Sequence, residues 1–412
     1  MDLRYDDDHE RFRTEVQTFL SAHWPPPDRG DDTDRKAQER AFRLKAIEAG
    51  YLARSIPRRY GGSEQPADVL EAAIIREEFA KAWAPGDVAG LGPSLLVPTL
   101  LEKGAEWQKQ RFVQPTIMGD IMWCQGYSEP NAGSDLANVQ TRARLMGDEW
   151  VINGQKIWTS VAWLADYMFC LCRTEPEASK HAGISYLLID MKQPGVDVRR
   201  LKAINGASHF CEVFLDDVRT PADWIVGERG QGWDVSRATL KHERNMIGGA
   251  TQTLTYWDRL MRLAERTQKD GRRALDDPRV RDRLAVIEGY VRAQEFSAYR
   301  QLSKAAKGEK AGIVQSMNKI NGTNTGHLIV KLALDLLGDE GLLEPEAFDP
   351  VTSPDVNTAW VARYMQTLGA AIAGGTSNIQ RSVIAERGLG LPRDRERDQS
   401  RQARRPSQER RS

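Results

Sequence analysis

The run Tyr167-Met168-Phe169-Cys170-Leu171-Cys172 indicates what kind of fold surrounds it. A short run of aromatic and aliphatic residues is typical of a buried β-strand. Similar runs occur nearby, at residues 121–127, 150–152, 185–189 and 210–215. Turn-forming dipeptides separate these runs: Gly147-Asp148, Asn153-Gly154, Pro194-Gly195 and Asn205-Gly206. Residues 121–228 are therefore predicted to form a middle domain, an antiparallel β-barrel or sandwich.

The chain on either side of this region has helical periodicity. Residues 1–120 contain helix candidates at 9–23, 36–49 and 67–82, and we expect an N-terminal helical domain. Residues 229–392 contain longer candidates at 236–267, 278–307, 312–337 and 354–372, which favour a C-terminal four-helix bundle. The predicted fold class is therefore α+β with several domains, followed by a charged tail at 393–412 that we expect to be mobile.

Composition excludes several classes of function. The 412 residues contain 58 basic and 58 acidic side chains, so the basic excess of a nucleic-acid-binding protein is absent. The low net charge weakly favours self-association into an oligomer. An acidic N-terminus and the lack of an 18-residue apolar stretch predict neither a signal peptide nor a membrane span.

The cysteines and histidines show no metal-ligand spacing, so no metal site is expected. Cys170 and Cys172 would share one face of a strand, where we expect them to be small buried hydrophobic residues in a reducing compartment. The expected location is the cytoplasm.

Four segments together carry a resemblance to a known family. They are Tyr127-Ser128-Glu129-Pro130-Asn131-Ala132-Gly133-Ser134-Asp135, Asn153-Gly154-Gln155-Lys156-Ile157-Trp158-Thr159-Ser160, Leu240-Lys241-His242-Glu243-Arg244 and Gly374-Gly375-Thr376-Ser377-Asn378-Ile379-Gln380-Arg381. In this order and at these intervals they resemble the acyl-CoA dehydrogenase family. The similarity extends from about Leu3 to Pro392. It implies an oligomeric FAD flavoprotein of fatty acid and lipid metabolism that oxidises the Cα–Cβ bond of an acyl-CoA and passes electrons to an electron-transfer flavoprotein.

The resemblance also implies which residues surround the flavin. A flat ring with polar edges needs close backbone, hydroxyl donors and an aromatic wall. In the first two segments, Trp158 would stack near the ring and Ser160 would bond near N5. In the fourth, the two glycines allow close approach and Thr376 is a suitable helix N-cap. The implied cofactor-binding residues are Tyr127, Ser128, Gly133, Ser134, Trp158, Thr159, Ser160, Gly375, Thr376 and Asn378. Taken alone, each segment could equally be an ordinary turn, a core aromatic or a helix start.

The catalytic base departs from the commoner family pattern. Many members carry a glutamate directly before the Gly-Thr of the fourth segment, where this chain has Gly374. A smaller set, including isovaleryl-CoA dehydrogenase, carries it before an arginine on the first long helix of the C-terminal domain. Glu243-Arg244 matches that pattern, so Glu243 is the expected base and Arg244 its neighbour in the active site. The alternative is that Glu243 is an ion-paired helix residue. The small Gly374 predicts room for branched, cyclic or bulky acyl groups.

Two further departures concern the dinucleotide end of FAD. Members commonly carry Arg-x-x-Phe-Gly and Gln-x-x-Gly-Gly segments that reach across a subunit interface. Here residues 266–271 lack the aromatic, and residues 335–341 lack the glutamine and contain Asp339 and Glu340. A homo-oligomer, a dimer or tetramer, is expected, and a hetero-oligomer in which a second chain completes the site is the alternative. An acyl-CoA oxidase on the same fold is a further alternative.

Overall fold

The computed structural model describes residues 6–24, 32–178, 180–247, 251–269, 271–306, 309, 312–342 and 360–392. The turn predicted at 25–30 and the mobile tail predicted at 393–412 lie outside these residues. The predicted class is confirmed: helical N- and C-terminal regions flank a β-sheet.

The N-terminal region is helical, and two of its helices, α1 and α3, begin at an acidic N-cap. The helices are α1 (Asp7–His23), α2 (Asp32–Glu48), α3 (Val69–Lys81), α4 (Val97–Lys103) and α5 (Glu106–Met118). Asp6 accepts a hydrogen bond from the His9 backbone N–H at 2.9 Å, and Asp68 accepts from Leu70 and Glu71. Such caps satisfy N–H groups that have no partner within the helix. The helices α4 and α5 were not among the predicted ones.

The strands of the middle region form one eight-stranded sheet. They are β1 (Trp123–Gly126), β2 (Arg142–Met146), β3 (Glu149–Ser160), β4 (Tyr167–Arg173), β5 (Ile184–Asp190), β6 (Val196–Leu201), β7 (Phe210–Pro221) and β8 (Ile225–Val226). The order is β6-β7-β3-β2-β4-β5-β8, and β1 pairs with β4. Most pairs are antiparallel, as predicted, whereas β1 and the first residue of β2 pair with β4 in parallel.

Strand β4 is buried on both faces, which explains its uninterrupted apolar sequence. Phe169 and Leu171 belong to a core cluster that also contains Leu100 of α4 and Phe112 of α5. The intervening residues of the strand belong to a second cluster on the opposite face. Cys170 and Cys172 share that face, as predicted, with their sulfurs 3.7 Å apart, and both thiols are free.

The turn predicted at Asn153-Gly154 is wrong, because both residues lie inside the continuous strand β3. The pairing of β3 with β7 shifts register between Ile152 and Gly154, so the pair sits at a bulge. A Cβ on Gly154 would stand 2.4 Å from the Thr141 hydroxyl oxygen, and the glycine therefore permits a close approach of backbone.

Helix α6 (Gly232–Ile247) follows the sheet and packs on it. Val235 joins the core cluster that contains Phe169. The buried Thr239 hydroxyl lies 3.0 Å from Thr99 Oγ1 and 3.4 Å from Tyr186 Oη. Asp234 pairs with Lys103 of α4 at 2.8 Å. The packing of Val235 and Thr239 fixes the first half of α6 against α4 and the sheet, whereas the solvent-exposed Asp234–Lys103 pair adds little.

The remaining elements are helices and one short hairpin. They are α7 (Thr251–Arg266), β9 (Gln268–Lys269), β10 (Arg272–Arg273), α8 (Pro278–Ala306), α9 (Val314–Leu337), α10 (Trp360–Ala370) and α11 (Ser377–Val383). One core cluster joins the four helices α7, α8, α9 and α10. It includes Trp257, Leu260, Ile287, Ile329 and Trp360. The predicted helix 236–267 corresponds to both α6 and α7, and residues 248–250 between them lie outside the described part.

The described chain divides into two compact units. The first contains the described residues up to Met246, and the second contains most of those from Ile247 onward. Within the described ranges, no helix combines the length and the apolar character needed to cross a bilayer.

The contact at the start of α6 gives a test of the fold. In Gly232→Ala, the new Cβ would stand 2.4 Å from the Ser185 carbonyl carbon and 2.7 Å from the Tyr186 nitrogen. Because these are backbone atoms that cannot turn aside, we expect the free energy of unfolding to fall by about 1–3 kcal/mol. The matched control is Gly289→Ala on the exposed face of α8, where no atom lies within 4 Å. That change should stabilise by about 0.5–1 kcal/mol. Urea denaturation of both variants measures the difference, and equal effects would contradict the close contact.

Candidate active site

The loop that follows β1, residues 127–135, presents small polar residues to solvent. Glu129 and Ala132 exchange backbone hydrogen bonds of 3.1 and 3.0 Å, which close a tight turn. Beyond the turn, Gly133 and Ser134 are exposed, and no atom lies within 4 Å of the position that a Cβ on Gly133 would take. This loop therefore offers backbone and a hydroxyl beside open space.

Two predicted residues anchor the beginning of this loop. The Tyr127 side chain is buried, and its ring meets Phe169 and Tyr186 edge-on at centroid distances of 6.0 and 6.2 Å. Ser128 is half-buried, and its carbonyl accepts a 2.9 Å hydrogen bond from the Ile157 N–H of β3. The first and second segments of the motif are thus in direct contact.

A buried ion pair joins the same two segments. Lys156 of β3 is fully buried and its Nζ lies 2.8 Å from Glu129 Oε1. Burial acts to raise the pKa of Glu129, but the Lys156 ammonium and further hydrogen bonds outweigh it and hold that pKa below its usual value. Both groups are therefore charged near neutral pH. Both residues lie within the family motifs, but the sequence predicts no role for either of them.

Trp158 adopts a backbone conformation that is rare for a large residue. Its φ is +61°, and it lies where the β3–β7 pairing shifts register between Lys156 and Thr159. The side chain is 58% exposed and packs edge-on against Phe210 at 5.7 Å. A left-handed non-glycine residue costs about 1–2 kcal/mol. Strain of this kind clusters at functional sites, so an exposed, strained indole indicates a binding surface.

The next two residues differ in what they can offer a ligand. The Thr159 side chain is completely buried, and its hydroxyl has no hydrogen-bond partner. A ligand at the surface could reach only the backbone at this position. Ser160 is half-buried and pairs with Phe210 of β7, so its hydroxyl lies nearer to solvent.

The third segment lies on α6, and its side chains are described only as far as His242. Burial lowers the pKa of His242 and favours the neutral imidazole. Glu243 and Arg244 belong to the helix by their backbone, but their side chains lie outside the described residues. Residue 243 follows the anchored Thr239 by about one helical turn.

The fourth segment belongs to the second unit and closes a turn before α11. Gly374 and Gly375 have φ values of +62° and +90°, which favour glycine. The Thr376 hydroxyl accepts a 3.2 Å hydrogen bond from the Ile379 N–H, which confirms that it is the N-cap of α11. The buried Gln380 donates to the Gly374 carbonyl at 2.9 Å. The exposed Asn378 accepts a hydrogen bond from Arg381 at 3.3 Å.

A buried lysine that the sequence did not single out precedes this turn. Lys319 of α9 is 1% exposed and donates to the Ala371 carbonyl at the end of α10, at 3.3 Å. Burial lowers the pKa of Lys319. A cation at the C-terminal end of a helix is stabilising, because it compensates the partial negative charge of the last carbonyl groups.

These residues can be tested against FAD, the cofactor that the family resemblance implies. Trp158 provides an exposed aromatic face, Ser134 and Ser160 provide hydroxyl groups, and Gly133 lies beside open space. These are the features that a flat ring with a polar edge requires. In the second unit, the cap at Thr376 uses the oxygen of its hydroxyl as acceptor and leaves the O–H as a donor. The residues fit the cofactor.

Comparison with known proteins identifies the family. Three family models match: acyl-CoA dehydrogenase N-terminal domain over residues 6–120, middle domain over 124–218 and C-terminal domain over 230–389. The chain is 39% identical over 366 residues to acyl-CoA dehydrogenase IpdE1 of Mycobacterium tuberculosis, covering 89% of this chain and 91% of that protein.

Two solved structures show the same fold. The ChsE4-ChsE5 complex from Mycobacterium tuberculosis matches with a TM-score of 0.74 and 28% identity, covering 95% of this chain and 100% of that chain. The Tcur3481-Tcur3483 steroid ACAD matches with a TM-score of 0.75 and 28% identity, with the same coverage. The chain belongs to the acyl-CoA dehydrogenase family of FAD-dependent oxidoreductases.

Proposed function

We propose that this enzyme removes two hydrogens from the Cα–Cβ bond of an acyl-CoA thioester and forms a 2,3-enoyl-CoA, with Glu243 as the base. The observation that carries this assignment is Gly374. It occupies the position of the base in many relatives, has no side chain to take a proton, and adopts a φ of +62° in which a glutamate would be strained. Bound FAD supplies the hydride acceptor.

The role of Glu243 follows from what dehydrogenation requires. The carboxylate removes the α-proton, and exclusion of water raises its pKa toward the working pH. The anchored first half of α6 supports a fixed position for the residue, because Thr239 is held by Thr99 and Tyr186. Arg244 is proposed to orient the base or the substrate.

Flavin-binding residues are proposed for each unit separately, on the family motifs. In the first unit, Trp158 supplies the aromatic wall, Ser160 a hydroxyl near N5 and Thr159 its backbone. The loop 127–135 is proposed to line the ring edge through Tyr127, Ser128, Gly133 and Ser134. For the second unit, the family motif alone proposes Gly375, Thr376 and Asn378 as flavin-binding residues. We propose domain limits of 1–120, 121–228 and 229–392. The proposed location is the cytoplasm, which the four free cysteines support.

Substitution of the base tests this assignment. In Glu243→Gln, the amide cannot accept the α-proton, so substrate-dependent flavin reduction should slow by about 10²–10⁴-fold. Bound flavin should be unchanged, and stopped-flow absorbance under anaerobic conditions measures the rate. The matched control is Asp234→Asn, which removes another carboxylate from α6, one that pairs with Lys103. It should reduce at nearly the normal rate, whereas normal reduction in Glu243→Gln would remove that residue from the role.

The substrate is proposed to be a bulky, ring-containing acyl-CoA of the steroid type. The absence of a side chain at Gly374 leaves room for a wide acyl group, and one structural relative is named a steroid ACAD. Shape differences in an apolar pocket discriminate by factors of tens to hundreds.

A panel of acyl-CoA thioesters tests the substrate, with electron-transfer flavoprotein as the proposed acceptor. We expect kcat/KM for branched or polycyclic acyl groups to exceed that for straight medium chains by more than about tenfold. Equal or better turnover of straight medium chains would contradict the proposal. Fast reoxidation of the reduced enzyme by air would instead identify an oxidase.

The helical unit is proposed to form an oligomer interface. Large apolar side chains of α8 are exposed, namely Val286, Tyr290, Phe296 and Tyr299. A groove of about 510 Å³ runs beside them between α8, α9 and α10. Large apolar side chains exposed together on one helix favour association. A homo-oligomer, a dimer or tetramer, is the first proposal.

A related partner chain is the second proposal, and the dinucleotide edge supports it. Asp335, where relatives carry glutamine, pairs with Arg283 of α8 at 2.7 Å, and Asp339 and Glu340 are exposed. Carboxylates here would repel a pyrophosphate. One structural relative is a complex of two different chains.

Light scattering of the purified chain tests the assembly. A dimer or tetramer is expected, because a monomer would leave the apolar surface of α8 in water. A yellow homo-oligomer with one FAD per chain would exclude an obligate second partner, and a monomer that is fully loaded with FAD would contradict both proposals.

A further inference from the structure

The ion pair of Lys156 and Glu129 also makes hydrogen bonds to backbone groups of three other segments of the site. Lys156 Nζ donates to Glu129 Oε1 at 2.8 Å, to the Leu171 carbonyl of β4 at 2.7 Å and to the Tyr127 carbonyl at 3.3 Å. The ammonium group therefore uses all three of its protons. Its contacts tie β3 to the central strand and to the start of the loop 127–135.

Glu129 closes the other end of the same loop. Its two oxygens accept hydrogen bonds from the Gln140 N–H at 2.6 Å and the Thr141 N–H at 3.0 Å. These residues follow the loop and lead into β2. One carboxylate thus binds both Lys156 and the two residues that follow the loop, so it ties the end of the loop to β3.

The lysine is also the last residue in register before the bulge that carries Trp158. Lys156 pairs with Val213, and the next regular pair joins Thr159 to Cys211. Lys156 points into the interior while Trp158 emerges into solvent with a left-handed backbone. Strain of this kind persists only where the surroundings hold the chain on both sides. Lys156 anchors the strand before the bulge. After the bulge, the strand is anchored by a 2.8 Å hydrogen bond from the Val161 N–H to the His209 carbonyl.

A buried ion pair is a costly way to gain stability. Taking both charges out of water opposes their attraction, and an apolar pair of similar volume is often as stable or more so. Loss of one partner, in contrast, is strongly destabilising because the other charge is left uncompensated. The contribution of this pair is therefore geometric, because it lowers the free energy of one arrangement of the loop 127–135 and β3 relative to all others.

We propose that Lys156 and Glu129 are positioning residues that hold the loop 127–135 and Trp158 in the single relative arrangement that binds the flavin and sets its reduction potential. Both side chains are buried, so they are proposed to act through the residues that they hold. The inference rests on the proposed function, because it assumes that these two segments meet the flavin. Hydrogen bonds and aromatic contacts at the ring edge are what a protein uses to tune a flavin.

Charge-balanced variants separate positioning from stability. The variants are Lys156→Met, Glu129→Gln and the double variant that carries both changes. Each single variant leaves a buried group without its partner and should be destabilised, whereas the double variant buries no charge and should recover much of the stability. Positioning should not recover, because the methionine donates no hydrogen bond to the Leu171 and Tyr127 carbonyls and the glutamine has one acceptor oxygen where the carboxylate has two.

The readouts are the affinity for FAD, the visible spectrum and the reduction potential of the bound flavin. We expect all three variants, including the stable double variant, to bind FAD about tenfold more weakly or worse, since supporting residues commonly contribute 10–100-fold. The spectrum and potential should shift together. If the double variant has the affinity, spectrum and potential of the wild type, the positioning role is excluded.

A matched control is available in the same unit. Glu78 of α3 is another buried carboxylate, held by Arg13 at 2.5 Å, Lys81 at 2.7 Å and Gln17 at 2.9 Å, and it has no bond to the loop or to β3. Glu78→Gln should lower stability and leave the flavin potential unchanged. If Glu78→Gln shifted the flavin potential equally, the effect of the Lys156 and Glu129 variants would be explained by general destabilisation. A wild-type chain that binds no flavin would overturn the proposed function instead, which distinguishes the two failures.

Discussion

Burial of strand β4 on both faces is the constraint from which the first unit follows. Its backbone is paired on both edges, with β5 on one side and with β1 and the start of β2 on the other. Side chains alternate between two cores, so Phe169 and Leu171 require a cover of helices on one face. Helices α4, α5 and α6 supply it, and the helix proposed to carry the base is thereby tied to the sheet that carries the proposed flavin residues.

The same constraint explains which strands could be predicted. A strand buried on both faces leaves a continuous apolar run, which makes the runs at 167–172 and 185–189 recognisable in the sequence. The run at 210–215 is buried on alternate residues and is apolar except for Glu212. Strands β2 and β6 are mostly exposed and carry several arginines, so they left no such run. Asn153-Gly154 was misleading because tertiary contacts override a local turn signal. Asn153 exchanges two 2.9 Å hydrogen bonds with Asp217 of the neighbouring strand β7. These bonds hold Asn153 and Gly154 in a β-bulge within the strand.

For the site, the sequence identified the segments but not the groups that hold them. Lys156 and Lys319 are nearly inaccessible to solvent, although lysine is usually exposed. Nothing in their sequence neighbourhood indicates enclosure, because it depends on partners that are distant along the chain: Leu171 for one and Ala371 for the other. Charged residues inside a recognised motif are therefore candidates for a supporting role whenever no direct contact explains them.

The turn at Gly374 and Gly375 shows how a departure from the family pattern involves the backbone as well as the side chain. Both residues take left-handed conformations, and the Gly374 carbonyl is already occupied by Gln380. Lys319 holds the preceding turn of α10 through Ala371. A glutamate at position 374 would have to be accommodated at a strained φ within this closed hydrogen-bond network. The proposed base on α6 would avoid that strain.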